Sequence, residues 1–303
     1  MDKGVHALAF VVATKDRPDA LRRLLASLSG QSCQPDQVIV VDGGDWETRG
    51  VVGEFPGLRI VYLRSLPPSA ARQRNDGLGA VERGISLIGF LDDDVVLDSG
   101  AIESMMDFWR DAPEELGGAS FNMENHPAPV AAGLKSFPIV RWAGLYGGEP
   151  GSVSASGFQT MIGFLIESRS VAWLPSGAVV WRRCVMDEFC FDEWFRGYGY
   201  LEDLDFSYRV GKTFGLAVAP EALYRHYPAP LGRGSGRVFG TREVLNRLHF
   251  VRKHPELSLW RCYLVLMLRM LMSISAGIRG GRRYDLERAW GNALGLIESL
   301  RHA

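Results

Sequence analysis

Apolar residues fill the first hundred positions in short blocks that alternate between two spacings. Ala7 to Ala13 is unbroken, as in a strand buried on both faces. Leu21, Leu24, Leu25 and Leu28 then recur at helical spacing behind Pro18, a residue that the first turn of a helix tolerates. Val38–Val41 reads as a second strand, Leu58–Leu63 as a third, Ala70–Val81 as a helix and Ile85–Leu91 as a fourth strand. This β-α-β rhythm predicts an α/β fold, a mostly parallel sheet flanked by helices with right-handed crossovers. From about Pro127 to Ser156 the pattern gives way to Gly, Pro, Ala and scattered aromatics, expected as long loops or an insertion. Regularity returns at Gly177–Arg182, in a helix around Leu201–Thr213 and in a short strand over Leu216–Ala219. After Gly240 the chain reads as helical to its end. The expected organisation is a catalytic domain over 1–240, with halves at about 1–125 and 126–240, and a helical tail over 241–303.

Composition narrows this picture. With 47% hydrophobic and 23% charged residues the chain is a folded globular protein, and a net charge of −1 gives no global reason to expect a nucleic-acid partner. Cys33, Cys184, Cys190 and Cys262 are scattered without metal-like spacing, so free thiols are expected. Met1–His6 runs into the first strand without a signal-peptide pattern, which points to cytoplasmic residence.

The chemistry collects at strand ends. Three aspartates, Asp92, Asp93 and Asp94, close the fourth strand. Alternation along a strand sends Asp92 and Asp94 one way and Asp93 the other, so two carboxylates converge beyond the sheet, where a hard divalent cation relieves their repulsion. The bland reading is a solvated turn, with Asp98 or Ser99 capping the helix that begins near Ala101. Thr14-Lys15-Asp16-Arg17 follows strand one, Asp42 ends strand two, and Ser69–Gly77 opens a helix carrying Arg74 and Asn75. A parallel sheet gathers such ends into one crevice, where carboxylates meet a base or ribose and arginines meet phosphate. Downstream, Phe195–Tyr200 leads into Glu202-Asp203-Leu204-Asp205, acids at a helix start that suit the dipole and also suit a general base. His226 is a lone histidine that becomes a metal-ligand candidate beside an aspartate pair.

In this order, the motifs over Ala7–Arg233 resemble family 2 glycosyltransferases of the GT-A, nucleotide-diphospho-sugar transferase fold. The matching pieces are Thr14–Pro18, Asp42, the Ser69–Gly77 helix start, Asp92–Asp94 as the DxD element, Trp173–Gly177, and the Phe191-Asp192-Glu193 to Asp205 block. The resemblance implies an inverting transfer of one sugar from a UDP-, dTDP- or GDP-sugar to a hydroxyl on a glycan or lipid-linked glycan. By the same resemblance, Asp42 and Asp16 contact the base, Arg74 and Asn75 lie near base or phosphate, and Asp92 or Asp93 holds the ribose. Thr14 and Arg17 belong to the same nucleotide-sugar set. Asp94, His226 and Asp92 bind Mg²⁺ or Mn²⁺, Asp203 is the base, and Glu202 shapes the site or contacts the acceptor. Lys15-Asp16 departs from the aromatic and asparagine of many relatives, and the Gln-x-x-Arg-Trp element of processive members is absent. A sugar-phosphate nucleotidyltransferase would need a Gly-rich loop after strand one, which Thr14–Arg17 lacks. A catalytically silent scaffold of the same fold would leave the intact Asp94, Asp203 and His226 unexplained.

Leu257–Ile278 is long enough to span a bilayer, but Arg269 near its middle costs about 2.5–3.5 kcal/mol on insertion scales. Ser258, Arg261, Arg269, Ser273 and Arg279 share one sector of the helical wheel, and Tyr284–Arg301 supplies a second helix with an apolar face. Two readings stay open for 257–301: a peripheral membrane helix on the inner face of the plasma membrane, or a hairpin that completes a core or a homodimer.

Overall fold

The computed structural model describes residues 6–45, 48–126, 138–145, 148–228 and 235–301. The chain divides into two compact units, Met1–Pro127 with Ile162–Ala229, and Ala128–Met161 with Pro230–Ala303.

The first unit holds one eight-stranded sheet in the order β3-β2-β1-β4-β7-β6-β8-β5. Its strands are β1 (Leu8–Thr14), β2 (Gln37–Asp42), β3 (Ile60–Arg64), β4 (Leu87–Asp92), β5 (Val95–Leu97), β6 (Leu116–Met123), β7 (Ala178–Arg182) and β8 (Gly215–His226). β3, β2, β1 and β4 are parallel, β7 runs antiparallel to both β4 and β6, and β6 is parallel to β8. The unbroken apolar runs are explained by two cores, one on each face. Leu8, Phe10, Val12, Val38 and Val40 meet α1 (Pro18–Ser29) and α4 (Ala101–Asp111) on one side. Ala9, Val11, Ile39 and Val41 meet α3 (Ala70–Leu78) and α7 (Glu202–Val210) on the other. Short helices α2 (Arg49–Val52) and α6 (Arg183–Glu188) complete this unit. α4 begins behind Gly100 in the left-handed region (φ 77°) without a side-chain cap, so neither Asp98 nor Ser99 caps it with its side chain.

Two differences from the sequence reading position the site. β4 ends at Asp92, and Asp93-Asp94 form a turn into β5. β8 continues well past the expected Ala219, through a register irregularity against β6, to His226.

The second unit contains α5 (Pro138–Ala143), α8 (Gly236–Lys253), α9 (Leu259–Gly280) and α10 (Arg283–Arg301). In this unit residues 128–161 group with 230–303. Specific bonds make the join: the buried Arg247 guanidinium donates to the Gly157 carbonyl, and Ser258 N–H donates to the Ala155 carbonyl at 2.6 Å.

Candidate active site

Parallel register brings the polar strand ends level. Thr14 lies opposite Asp42, Ala13 opposite Asp92, and Asp42 opposite Arg64. α3 packs close enough to the sheet that a Cβ on Gly77 would overlap Val11. That approach lets Gln73 donate to the carbonyls of Thr14 (2.9 Å) and Val41 (2.8 Å), which fixes the two strand ends together.

Each aspartate in this crevice has a different occupation. Asp42 is fully buried, and its oxygens accept from Gly44 N–H (2.8 Å), Thr48 N–H and hydroxyl (both 2.8 Å) and the Tyr62 hydroxyl (2.7 Å). Arg64 stands 3.3 Å away. Burial opposes the charge of Asp42, but these hydrogen bonds outweigh it and hold the carboxyl below its ordinary range. Asp42 thus ties Gly44, Thr48 and Tyr62 together. Asp16 has positive φ (53°), and its carboxylate lies against Gly44, where a Cβ would stand 2.6 Å from Oδ1.

Asp93 is nearly as buried. It accepts from the Thr14 hydroxyl at 2.7 Å and from Arg17 Nη1 at 3.0 Å. Burial, with smaller contributions from Asp94 and Asp92, pushes it up to about 6 against the pull of Arg17 and Thr14. Its two oxygens tie Thr14, at the end of β1, and Arg17, before α1, to the turn after β4, so Asp93 acts as a clasp. Arg17 also stands 3.5 Å from Asp94 Oδ2. The strand-alternation argument that paired Asp92 with Asp94 therefore fails after Asp92. The turn directs Asp93 and Asp94 to one arginine, while Asp92 receives Arg74 Nη2 at 2.8 Å.

β5 pairs with β8 so that Val95 lies opposite His226, and Tyr227 N–H donates to the Asp94 carbonyl at 2.8 Å. That register sets His226 Nε2 3.1 Å from Asp94 Oδ1. Among the described residues no group of three or more His, Cys, Asp and Glu stands ready to hold a metal, so Asp92, Asp94 and His226 are not a preassembled trio. A carboxylate and an imidazole still fit Mg²⁺ or Mn²⁺ where a diphosphate supplies further oxygens.

The downstream block arrives on an aromatic chain. Phe191 stacks on Phe206 of α7 (4.3 Å) and meets Phe90 of β4 edge-on (5.0 Å). Asn75 closes this joint: its amide accepts from Phe191 N–H (3.0 Å) and donates to the Phe191 carbonyl (3.0 Å) and to Glu193 (3.1 Å). Asn75 is thereby a clamp on 191–193. Ala70 N–H donates to the Gly197 carbonyl at 3.1 Å, and Leu201 enters α7 with φ at +75°, backbone strain of the kind that persists where surroundings over-determine a site. Glu202 then pairs with Arg74, whose residue is 4% exposed and whose guanidinium spans Asp92 and Glu202. Burial raises the Glu202 carboxyl to about 8 despite Arg74, with Asp203 and Asp92 adding to the rise. Asp203 is half-buried and accepts from Leu204 N–H at 2.7 Å. Its carboxyl is also raised, by burial first and by Asp92, against the Leu204 N–H and Arg74. Arg74 is thus held between two carboxylates inside the protein. Sequence reasoning missed Tyr62, Thr48 and Gln73; only Gln73 carried a signal, a polar residue beside Arg74 on the small-residue face of α3.

Residues 9–122 match the model of glycosyl transferase family 2. The matched segment runs from β1 into β6, so this part of the chain is similar to that family's domain. Two solved structures of glycosyltransferases share its GT-A fold. The S. aureus TarS fragment 1-349 in complex with UDP-GlcNAc aligns with a TM-score of 0.59 and 15% identity over 95% of this chain and 80% of that one. The mannosyltransferase PcManGT from Pyrobaculum calidifontis, in complex with GDP-Man and Mn²⁺, aligns with a TM-score of 0.58 and 12% identity over 98% and 89%. At these identities the likeness is one of fold. Against the longer TarS chain, this chain spans 43% of the length. No curated protein matches the sequence.

Proposed function

We propose that the enzyme moves one sugar from a UDP-, dTDP- or GDP-sugar to a hydroxyl of a glycan or lipid-linked glycan in polysaccharide biosynthesis, with inversion by direct displacement. The observation that carries this reading is the division of labour around β4. Asp94 and His226 stand together at one side, while Asp203 stands at the start of α7, near enough to Asp92 for their charges to interact. Asp94 and His226 would hold Mg²⁺ or Mn²⁺, which when bound neutralises charge on the departing diphosphate. Thr14, Asp16 and Arg17 line the donor end. Asp203 takes the proton of the acceptor hydroxyl as that oxygen attacks the anomeric carbon. A carboxyl raised by burial is better matched to that task near neutral pH. Glu202, locked to Arg74, holds the first turn of α7 in place. Trp194 and Tyr198, exposed on the approach to that turn, offer aromatic faces to an acceptor sugar.

Asp203→Asn tests the assignment. Transfer, read by product formation, should fall about 10²–10⁴-fold, while donor binding, read by thermal shift with Mn²⁺, stays within a few-fold. Retained transfer, or loss of donor binding in a folded variant, would show that Asp203 is not the base. Donor classes separate in the same assay, and failure of every nucleotide-sugar to stabilise the protein would count against the whole reading.

A further inference from the structure

The helical unit buries a charged group beside apolar residues such as Val244, Leu248, Phe250, Val265 and Leu266. Its centre is charged: Glu243, wholly buried, accepts from Arg269 (2.9 Å), from Arg288 (2.6 and 2.9 Å) and from Asn292 (3.2 Å). Its closest helix contact is glycine against backbone. A Cβ on Gly240 of α8 would overlap the Arg288 carbonyl oxygen, and one on Gly291 of α10 would overlap that of Arg237. Little room remains there for large apolar side chains, and many of them point outwards. Trp260, Met267, Leu271 and Ile278 are exposed along α9, and Leu286, Trp290, Ile297 and Leu300 along α10. Their helical spacing makes one stripe on each helix. α9 is the one described helix long and apolar enough to cross a membrane by length and composition.

Charge distinguishes the occupant of this face. Residues 230–303 carry 13 Arg and Lys against five Asp and Glu, a net of +8, while the remaining residues carry 21 against 30, a net of −9. At the α9–α10 junction Arg279, Arg282 and Arg283 are exposed beside Ile278. At the other end of α9, Trp260 and Trp142 lie 5.4 Å apart with the Arg261 guanidinium over both rings, an amphipathic group suited to a headgroup layer. A second copy docking through the same face would oppose two strongly basic surfaces. An anionic bilayer complements both the apolar stripes and the arginines.

We infer that the α9–α10 face docks in the plane of an anionic lipid surface. The helices lie in the interface and do not span it, because the Glu243–Arg269–Arg288 group midway along the bundle is costly at bilayer depth. This inference is independent of the transfer chemistry, since its test reads binding alone.

The full chain is floated with vesicles of phosphatidylcholine containing phosphatidylglycerol and with vesicles of pure phosphatidylcholine, at low and high salt. Binding should favour the anionic vesicles and weaken with salt. Arg279→Gln with Arg282→Gln and Arg283→Gln should cost roughly fivefold per arginine, about a hundredfold together. Leu271→Glu with Ile278→Glu should abolish binding while helix content and melting temperature hold, because both positions are exposed. Three outcomes would overturn the inference: equal binding to neutral vesicles or none to either, retention on vesicles through alkaline carbonate, or a lipid-independent dimer that Leu271→Glu dissociates.

Discussion

Replacing Arg74 with methionine isolates what the buried ion pair does. The guanidinium lies against the Phe191 ring (5.5 Å to its centroid), and methionine retains much of that apolar contact while removing the charge. Asp92, whose side chain is 39% exposed, can turn to water; Glu202, with its side chain 7% exposed, cannot. With the native carboxyl of Glu202 raised to about 8 from an ordinary 4.5, the folded state holds a proton that the unfolded chain releases between those values. This group therefore makes the wild type lose stability as pH rises from about 4.5 to about 8. At pH 6 Glu202 is protonated in both proteins, so Arg74→Met costs one hydrogen bond to a charged group, about 1.5–3 kcal/mol. At pH 9 the wild type holds an ion pair, whereas the variant must bury an unpaired carboxylate or retain a proton, and the cost grows to about 3–5 kcal/mol. Urea melts at the two pH values measure this, with deuterium exchange in α3 and α7 peptides as the local readout. Adding Glu202→Gln should recover most of the pH 9 loss. An equal cost at both pH values, or no recovery in the double variant, would refute the argument.

Glu243→Gln should cost the helical unit about 1.5–3 kcal/mol, read by thermal unfolding, because it removes the buried carboxylate on which the partly exposed Arg269 and Arg288 converge. Although burial opposes its charge, Arg269 and Arg288 hold Glu243 down to about 2, so its stabilisation is complete above about 4.5 and is lost as pH falls towards 2. Gly291→Ala should lower the melting temperature by several degrees, since its Cβ meets the backbone of α8; an unchanged melt would deny the close helix contact. His226→Ala should weaken Mn²⁺-dependent stabilisation by donor at least tenfold and leave the metal-free melting temperature within a degree or two; an unaltered Mn²⁺ response would remove His226 from the site.

Much of the first unit was legible because periodicity is local. Buried parallel strands must be apolar on both faces, so Leu8–Thr14 and Gln37–Asp42 announce themselves, and polar residues at their ends mark the crevice. Glu202 and Asp203 were legible as acids at a helix start. What each carboxylate touches was not. Asp42 is filled by Thr48 and Tyr62, six and twenty residues away, and nothing in its own neighbourhood predicts that Tyr62 reaches it. Arg269 stood out as a charge in the middle of an apolar helix, but its partner Glu243 could be named only once α8 and α9 were packed.

The sequence by itself determined the strand and helix order, the placing of acids at strand ends and the strongly basic, apolar tail. These follow from side-chain spacing and charge, which a linear pattern records. Tertiary structure alone decided that Asp93 is a clasp, that Asp94 meets His226 and that residues 128–161 group with the tail. The reason is that a two-residue turn after Asp92 and the long run of β8 set those meetings. Register over more than a hundred residues, not local propensity, brings the atoms within 3.1 Å.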